Sequence, residues 1–387
     1  MFSSDKVVYF DYNATAVPLP QTHRLNMDIV DRCFGNPSSP HQCGREAKDL
    51  LESSRLRIAQ LLGVSPQEIL FTSGGTEGNN TILRQLALQI SPQHVITSQI
   101  EHPSILETCR VLEQLPQIEV TYLPVTENGV IDPEILLEAI RPDTCLISLM
   151  TVNNETGVIQ PMEQLSSIAQ AHEIPLHTDS VQGVGKIPIS WAEWGVHYAT
   201  ATAHKWGGPK GIGLLYVKQG ASLEGLITGG KQERGRRAGT ENVMLIHDFA
   251  ESLQWTINQQ AAVSTRLQSF KKQIINQLET TNGFFINGQV DSCLPSTLNV
   301  GFEGVSAESL LISLDLDNIA VSTGAACSSG AIEASHVLLA MGLDRKKAKS
   351  CLRISMGWNT IQEEVNYLME RIQFHVNRLY QKNNARP

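Results

Sequence analysis

Between Glu68 and Val217 the chain switches repeatedly between two rhythms, and this alternation narrows the folds open to it. Short β-prone runs occur at Ile69 to Thr72, Val95 to Thr97, Ile118 to Tyr122, Thr144 to Thr151 and Pro175 to Thr178, with two more beginning at Ala199 and Ile212. Between them lie predicted helices at Thr81 to Gln89, Pro103 to Leu115, from Pro133, and at Pro161 to His172. Strand and helix in regular succession predict an α/β fold, a mainly parallel sheet with helices on both faces. Ligands of such sheets bind beyond the carboxyl ends of the strands, where loops and helix N-termini gather. The strands are followed there by polar residues: Ser73 to Thr76, Glu101-His102, Asn153-Asn154-Glu155 and Asp179 to Gln182. These are expected to converge.

The flanks read differently. Val7 to Asp11 is strand-like, a helix follows from about Gln21, Gly35 to His41 is a loop, and a helix spans about Gly44 to Leu62. A long polar helix, Gln259 to Thr280, marks a transition. Beyond it, strand-like Leu298 to Phe302 and Ile319 to Val321 mix with helices at Ala307 to Leu314, Ala331 to Met341 and Ile361 to Gln381. The expected division is a large domain over 13–256 and a smaller α+β domain built from 1–12 and 257–387.

Composition removes whole classes of function. A net charge of -9, with Lys231 to Arg237 the one basic cluster of note, argues against a nucleic-acid partner, because phosphate binding needs a basic face. No apolar run approaches the roughly 18 residues that span a bilayer, and Met-Phe-Ser-Ser-Asp-Lys lacks a signal-peptide pattern, so no membrane and a cytoplasmic location are expected. Seven widely spaced cysteines in a chain of 387 residues read as thiols, most of them buried packing.

Lys205 is the candidate reactive amine. It sits where the run Tyr198 to Thr202 gives way to a Gly/Pro-rich turn, among Ala, His, Trp and Gly instead of other charges. Desolvation by such neighbours lowers a lysine pKa and frees the amine to form a Schiff base with an aldehyde, of which pyridoxal phosphate is the obvious one. An ordinary lysine in a tight turn fits the local sequence equally well. Ser73-Gly-Gly-Thr76, with Gly75 inside it, enters a helix and suits a phosphate, since first-turn N–H groups are unpaired and glycine admits close approach; a plain helix cap would look the same. Thr202 and His204 would add donors. Asp179 suits a protonated pyridine nitrogen or an ordinary turn, His102 a ring-stacking proton carrier or a loop histidine, and Asn154 and Gln182 a ring hydroxyl.

Cys327 lies in Val321-Ser-Thr-Gly-Ala-Ala-Cys-Ser-Ser-Gly330, where small residues offer little to bury it, which singles it out among the seven as the candidate nucleophile. Arg353 is the lone cation of Cys351-Leu-Arg-Ile-Ser-Met-Gly357 and suits either a bidentate clamp on a substrate carboxylate or a buried ion pair.

Taken together these segments resemble the cysteine desulfurases of class V, group I, among the fold-type I pyridoxal phosphate enzymes. The resemblance runs from Asp11-Tyr-Asn-Ala-Thr15 through Thr72 to Asn80, Glu101-His102, Val152 to Glu155, His177 to Gln182, His204-Lys205 with Gly208 to Gly213, Gln232 to Thr240 and Gly324 to Cys327, to Arg353 to Gly357. It implies a seven-stranded large-domain sheet and pyridoxal 5'-phosphate held by Lys205. It further implies phosphate ligands Gly75, Thr76, Thr202 and His204, with Thr240 entering from the second subunit of a homodimer. His102 would stack on the ring, Asp179 pair with its nitrogen, Asn154 and Gln182 contact its hydroxyl, and Arg353 hold the carboxylate of L-cysteine. Cys327 would take the substrate sulfur as a persulfide, leaving alanine, and pass it to an acceptor such as an iron–sulfur scaffold, contacting a nascent cluster transiently; no resident metal is implied. Selenocysteine lyase or class V aminotransferase activity is the alternative on the same cofactor, and a non-catalytic scaffold the alternative of another class. Ala325 and Trp358 depart from the family pattern. The chain ends at Asn384-Ala-Arg-Pro387 without the longer tail with which members dock a scaffold, which leaves the acceptor open.

Overall fold

The computed structural model describes residues 7–20, 27–324 and 333–384. Its first half runs β1 (Val8–Tyr9), α1 (Met27–Arg32), α2 (Gln42–Leu62), β2 (Ile69–Thr72), α3 (Gly75–Arg84), β3 (Gln93–Ser98), α4 (Pro103–Leu112) and β4 (Ile118–Leu123). The alternation continues through α5 (Pro133–Ala139), β5 (Thr144–Ser148), α6 (Met162–Ala171), β6 (Leu176–Asp179), β7 (Tyr198–Thr202) and β8 (Gly213–Val217). Seven of these strands form one sheet in the order β2-β8-β7-β6-β5-β3-β4. β8 runs antiparallel to both its neighbours, and the remaining pairs are parallel.

Successive side chains of these strands enter different cores. Ile69 and Phe71 of β2 and Leu214 and Tyr216 of β8 pack on one face with α2, α6 and the start of a long helix. Leu70, Leu215 and Val217 pack on the other, against α3 and α4. Period-two alternation sends neighbours to opposite faces, so a sheet covered on both sides reads as unbroken apolar runs.

After β8 come α7 (Val243–Leu278), β9 (Phe284–Asn287), β10 (Thr297–Phe302), α8 (Ala307–Asp315), β11 (Ile319–Ala320), α9 (His336–Ala340), α10 (Arg345–Ala348), β12 (Cys351–Ser355) and α11 (Gln362–Asn384). β12, β10 and β9 make an antiparallel sheet, and β1 returns from the N-terminus to pair with β11. These elements enclose their own apolar cluster. The helix read from Gln259 actually begins at Val243, where the Asn242 side chain accepts from the Leu245 N–H as an N-cap. Val243, Ile246, Phe249, Ala250 and Leu253 follow helical spacing into the large-sheet core, and Leu267, Phe270, Ile274 and Leu278 into the second cluster. One 36-residue helix therefore joins both cores over a length of about 54 Å. No helix of the described residues is long and apolar enough to cross a membrane.

Candidate active site

The carboxyl ends of β3, β5, β6 and β7 open on one cavity together with the N-terminus of α3. Gly75, Thr76, His102, Asn154, Asp179, Gln182, Thr202, His204, Lys205 and Arg353 all line it, as does Gly324 at the edge of the described chain. Thr240 stands away from it, exposed. Cys327 lies outside the described residues.

Lys205 ends a turn that follows β7 directly, and that places it at the strand's carboxyl end. Its Nζ donates to the main-chain carbonyls of Asn13 at 2.7 Å and Ala14 at 3.0 Å. Loss of water lowers its pKa to about 8, and the Arg353 charge pushes the same way against the pull of Asp179 and Asp11. A lysine so placed carries an appreciable neutral fraction near neutrality.

Asp179 closes β6 and is buried. Its Oδ1 accepts from the Val181 N–H at 3.0 Å and its Oδ2 from Asn79 Nδ2 at 2.8 Å, both neutral amides. His102 caps α4: its Nδ1 accepts from the Ser104 N–H at 3.1 Å, which leaves Nε2 as the protonated nitrogen of the neutral ring. Desolvation and the Lys205 and His336 charges lower the His102 pKa although Asp179 opposes them, so the ring stays neutral.

At the other end of the cavity, α3 begins at Gly75, six residues before its expected start at Thr81. The Ser73 to Asn80 segment is thus the helix's first turns as well as its entry. Gly78 explains the geometry, since a Cβ there would meet Thr200 Cγ2 at 2.8 Å; bare backbone lets α3 lie against β7. The first-turn N–H groups of α3, which no helical carbonyl reaches, include those of Gly75 and Thr76, which line the same cavity as Thr202 and His204. Thr202 Oγ1 donates to the Ile212 carbonyl at 3.0 Å. His204 shares a 3.1 Å hydrogen bond with Thr15, and burial followed by the Lys205, Lys210 and Lys186 charges lowers its pKa to about 4.

Arg353 makes the buried ion pair its sequence context allowed. Its Nη2 donates to Asp11 Oδ1 at 2.7 Å and its Nη1 to the Asn154 carbonyl at 3.2 Å, yet it faces the cavity and its buried Nε has no partner. Reasoning from sequence missed the residues that organise this corner. Asn13 is fully buried and bonded on every side: its N–H donates to Ser355 Oγ, its Nδ2 to the Asn154 carbonyl and Thr297 Oγ1. Lys186 and Gln182 meet beside it. Asn13 sits in the Asp11 to Thr15 turn, which offered a signal; Lys186, in Val-Gly-Lys-Ile-Pro, offered none.

A mainly parallel sheet that brings a desolvated lysine, a buried carboxylate and a helix N-terminus together at its strand ends defines an enzyme of the fold-type I class. The family model described as aminotransferase class-V matches residues 8–368. A curated protein from Dictyoglomus turgidum named cysteine desulfurase IscS is 40% identical over 96% of this chain and 95% of its own. The mitochondrial cysteine desulfurase of Arabidopsis thaliana is also 40% identical, over 95% of this chain and 82% of its own. A solved structure titled NIFS-like protein superposes with a TM-score of 0.90 at 36% identity, covering 96% of this chain and all of that one. The chain belongs to the class-V aminotransferase family.

Enzymes of this kind depend on pyridoxal phosphate, and the donor set fits that group. Asp179 offers a buried anion served by neutral amides alone, as a pyridinium N–H requires, and the glycine-lined start of α3 offers unpaired N–H groups to a phosphate. Lys205 offers the amine. The cavity, about 530 Å³, falls within the usual range of a small-ligand pocket and so has room for such a cofactor.

Proposed function

We propose that the protein is a cysteine desulfurase, converting L-cysteine to L-alanine and moving the sulfur onto its own Cys327. The observation that carries this reading is the convergence of Lys205, Asp179, His102 and Arg353 in one cavity at the strand ends; relatives bearing that name at 40% identity over nearly the whole chain support it. Lys205 would hold the cofactor, the α3 N-terminus at Gly75 and Thr76 with Thr202 and His204 its phosphate, Asp179 its ring nitrogen, and Asn154 and Gln182 its hydroxyl. Pyridoxal phosphate, when bound, supplies an electron sink for charge developing at the substrate's carbon atoms. Arg353 holds the substrate carboxylate. Lys205 Nζ, whose lowered pKa gives it an appreciable neutral fraction, takes the Cα proton and returns it. His102, neutral and protonated on Nε2, stacks on the ring and moves protons beside it.

The Cys327 thiolate then attacks the substrate sulfur. An S–S bond forms as the C–S bond breaks, the carbon takes a proton, and alanine leaves a persulfide on Cys327. The sulfur passes to an acceptor protein, with iron–sulfur cluster assembly the task the resemblance favours. The same reading takes the protein as a cytoplasmic homodimer with Thr240 contributed across the interface, and divides it into 13–256 and 1–12 with 257–387, in keeping with its separate apolar clusters.

The test is to incubate the yellow protein with L-cysteine and a reductant and measure sulfide and alanine for wild type and Cys327→Ala. Equal amounts of both products from wild type, and neither from a variant that still binds cofactor, are expected. A Cys327→Ala protein as active as wild type would move the assignment to a lyase or aminotransferase, and a colourless inactive protein would move it to a scaffold.

A further inference from the structure

Lys186 is a cation that none of the chemistry above uses. Its Nζ donates to Asn13 Oδ1 at 3.1 Å and to Gln182 Oε1. No carboxylate among the described residues pairs with it. Burial lowers its pKa to about 7, and the Lys205 and Arg353 charges act in the same direction. A half-buried cation with no carboxylate partner is costly, which makes its two partners informative.

Both partners are side-chain amides, each with one oxygen face and one nitrogen face. Lys186 Nζ donates to both amide oxygens, and in its ammonium form it can only donate, so Lys186 sets which face each amide turns toward it. Gln182 must point Oε1 at Lys186, and its Nε2 therefore turns the other way. One Nε2 hydrogen reaches the Asn13 carbonyl at 3.0 Å, which leaves the second for the cavity that Gln182 lines. Asn13 must likewise point Oδ1 at Lys186, which sends its Nδ2 to the Asn154 carbonyl at 3.1 Å and to Thr297 Oγ1 at 3.0 Å. The Asn13 main-chain carbonyl then receives Lys205 Nζ at 2.7 Å. One cation thus orients an amide that faces the cavity and anchors the turn on which the reactive lysine rests.

We propose that Lys186 is a positioning residue, its ammonium setting the donor face of Gln182 toward the cofactor's ring hydroxyl and, through Asn13, the seat of Lys205. This rests on the functional reading above and adds to it a positive charge one amide behind the ring. An amide polarised by a cation donates more strongly, so the pair favours the oxyanion form of that hydroxyl. The other charged groups facing this corner are Lys205 and Arg353 on the basic side and Asp179 and Asp11 on the acidic side, with His204 a titratable neighbour held neutral.

The experiment is a double-mutant cycle of Lys186→Met and Gln182→Leu, read by the dissociation constant of pyridoxal phosphate from the reconstituted protein and by the pH midpoint of the bound cofactor's visible absorption. Each single change should weaken cofactor binding on the order of tenfold, the worth of one charge-assisted hydrogen bond. The double variant should lose no more than the worse single one, because residues acting as a unit are not additive. In Lys186→Met the midpoint should rise, since one cation fewer opposes a proton at Lys205. If Lys186→Met does not melt cooperatively, Lys186→Gln takes its place: its neutral amide N–H can still serve both oxygens, and the midpoint should still rise. Losses that add, or a midpoint that does not move, would overturn the inference while leaving the desulfurase reading intact. Wild-type protein that binds no pyridoxal phosphate would overturn both.

Discussion

At the scale of single residues the site is an arrangement of shifted protonation states. The Lys205 pKa near 8, against 10.5 for an ordinary lysine, sets the pH at which its amine becomes a nucleophile. The neutral form grows as pH rises through that value, so the rate at which cofactor-free protein takes up pyridoxal phosphate should climb between pH 7 and 9, with a midpoint near 8. A midpoint two units higher would mean that desolvation is not acting on this amine. Lys205→Arg keeps a cation but cannot condense with an aldehyde; turnover should fall by roughly a thousandfold or more. Sequence alone makes Lys205 legible because its neighbours are small or aromatic and it ends a strand. Lys186 has similar apolar neighbours and was not legible, because its part depends on the oxygens of Asn13 and Gln182, and Asn13 comes from the far N-terminus.

Among the elements, α3 shows where sequence patterning falls short. Its residues through Asn80 read as a turn because Gly and Asn have low helix propensity, yet tertiary packing extends the helix back to Gly75. The glycines serve that packing: a Cβ at Gly78 would strike Thr200, and one at Gly213 would lie 2.6 Å from Gly74 Cα, where β8 passes the helix entry. Gly78→Val should lift α3 from β7, destabilise the protein by about 1–3 kcal/mol through overpacking and weaken cofactor binding through a displaced phosphate site. Thermal melting beside cofactor titration checks this, and a variant that loses stability but keeps full cofactor affinity would separate α3 packing from phosphate binding. The length of α7 was hidden for a related reason. Its apolar stripe serves one core in its first half and another in its second, and the mixed surface between them reads as a boundary.

For the whole molecule, the alternation of strand and helix was the most legible feature, because apolar runs buried on both faces and helical spacing each have an unmistakable period. Interfaces have none. Thr240 is exposed on the single chain and away from the cavity, as a residue that serves a partner's site would be. The protein should sediment at twice its 42.5 kDa chain mass. Inactive Lys205→Ala mixed and refolded with weakened Thr240→Val should recover activity above that of either parent, since one site of each mixed dimer then holds an intact Lys205 and an intact Thr240; no recovery would place Thr240 outside the site. The claim on which all else turns is that Cys327 receives the sulfur. Its most direct measurement is the mass of the peptide bearing Cys327 after one turnover with L-cysteine and no reductant. The predicted result is a gain of one sulfur atom on that peptide, matched by one alanine released; alanine released with the peptide mass unchanged would contradict it.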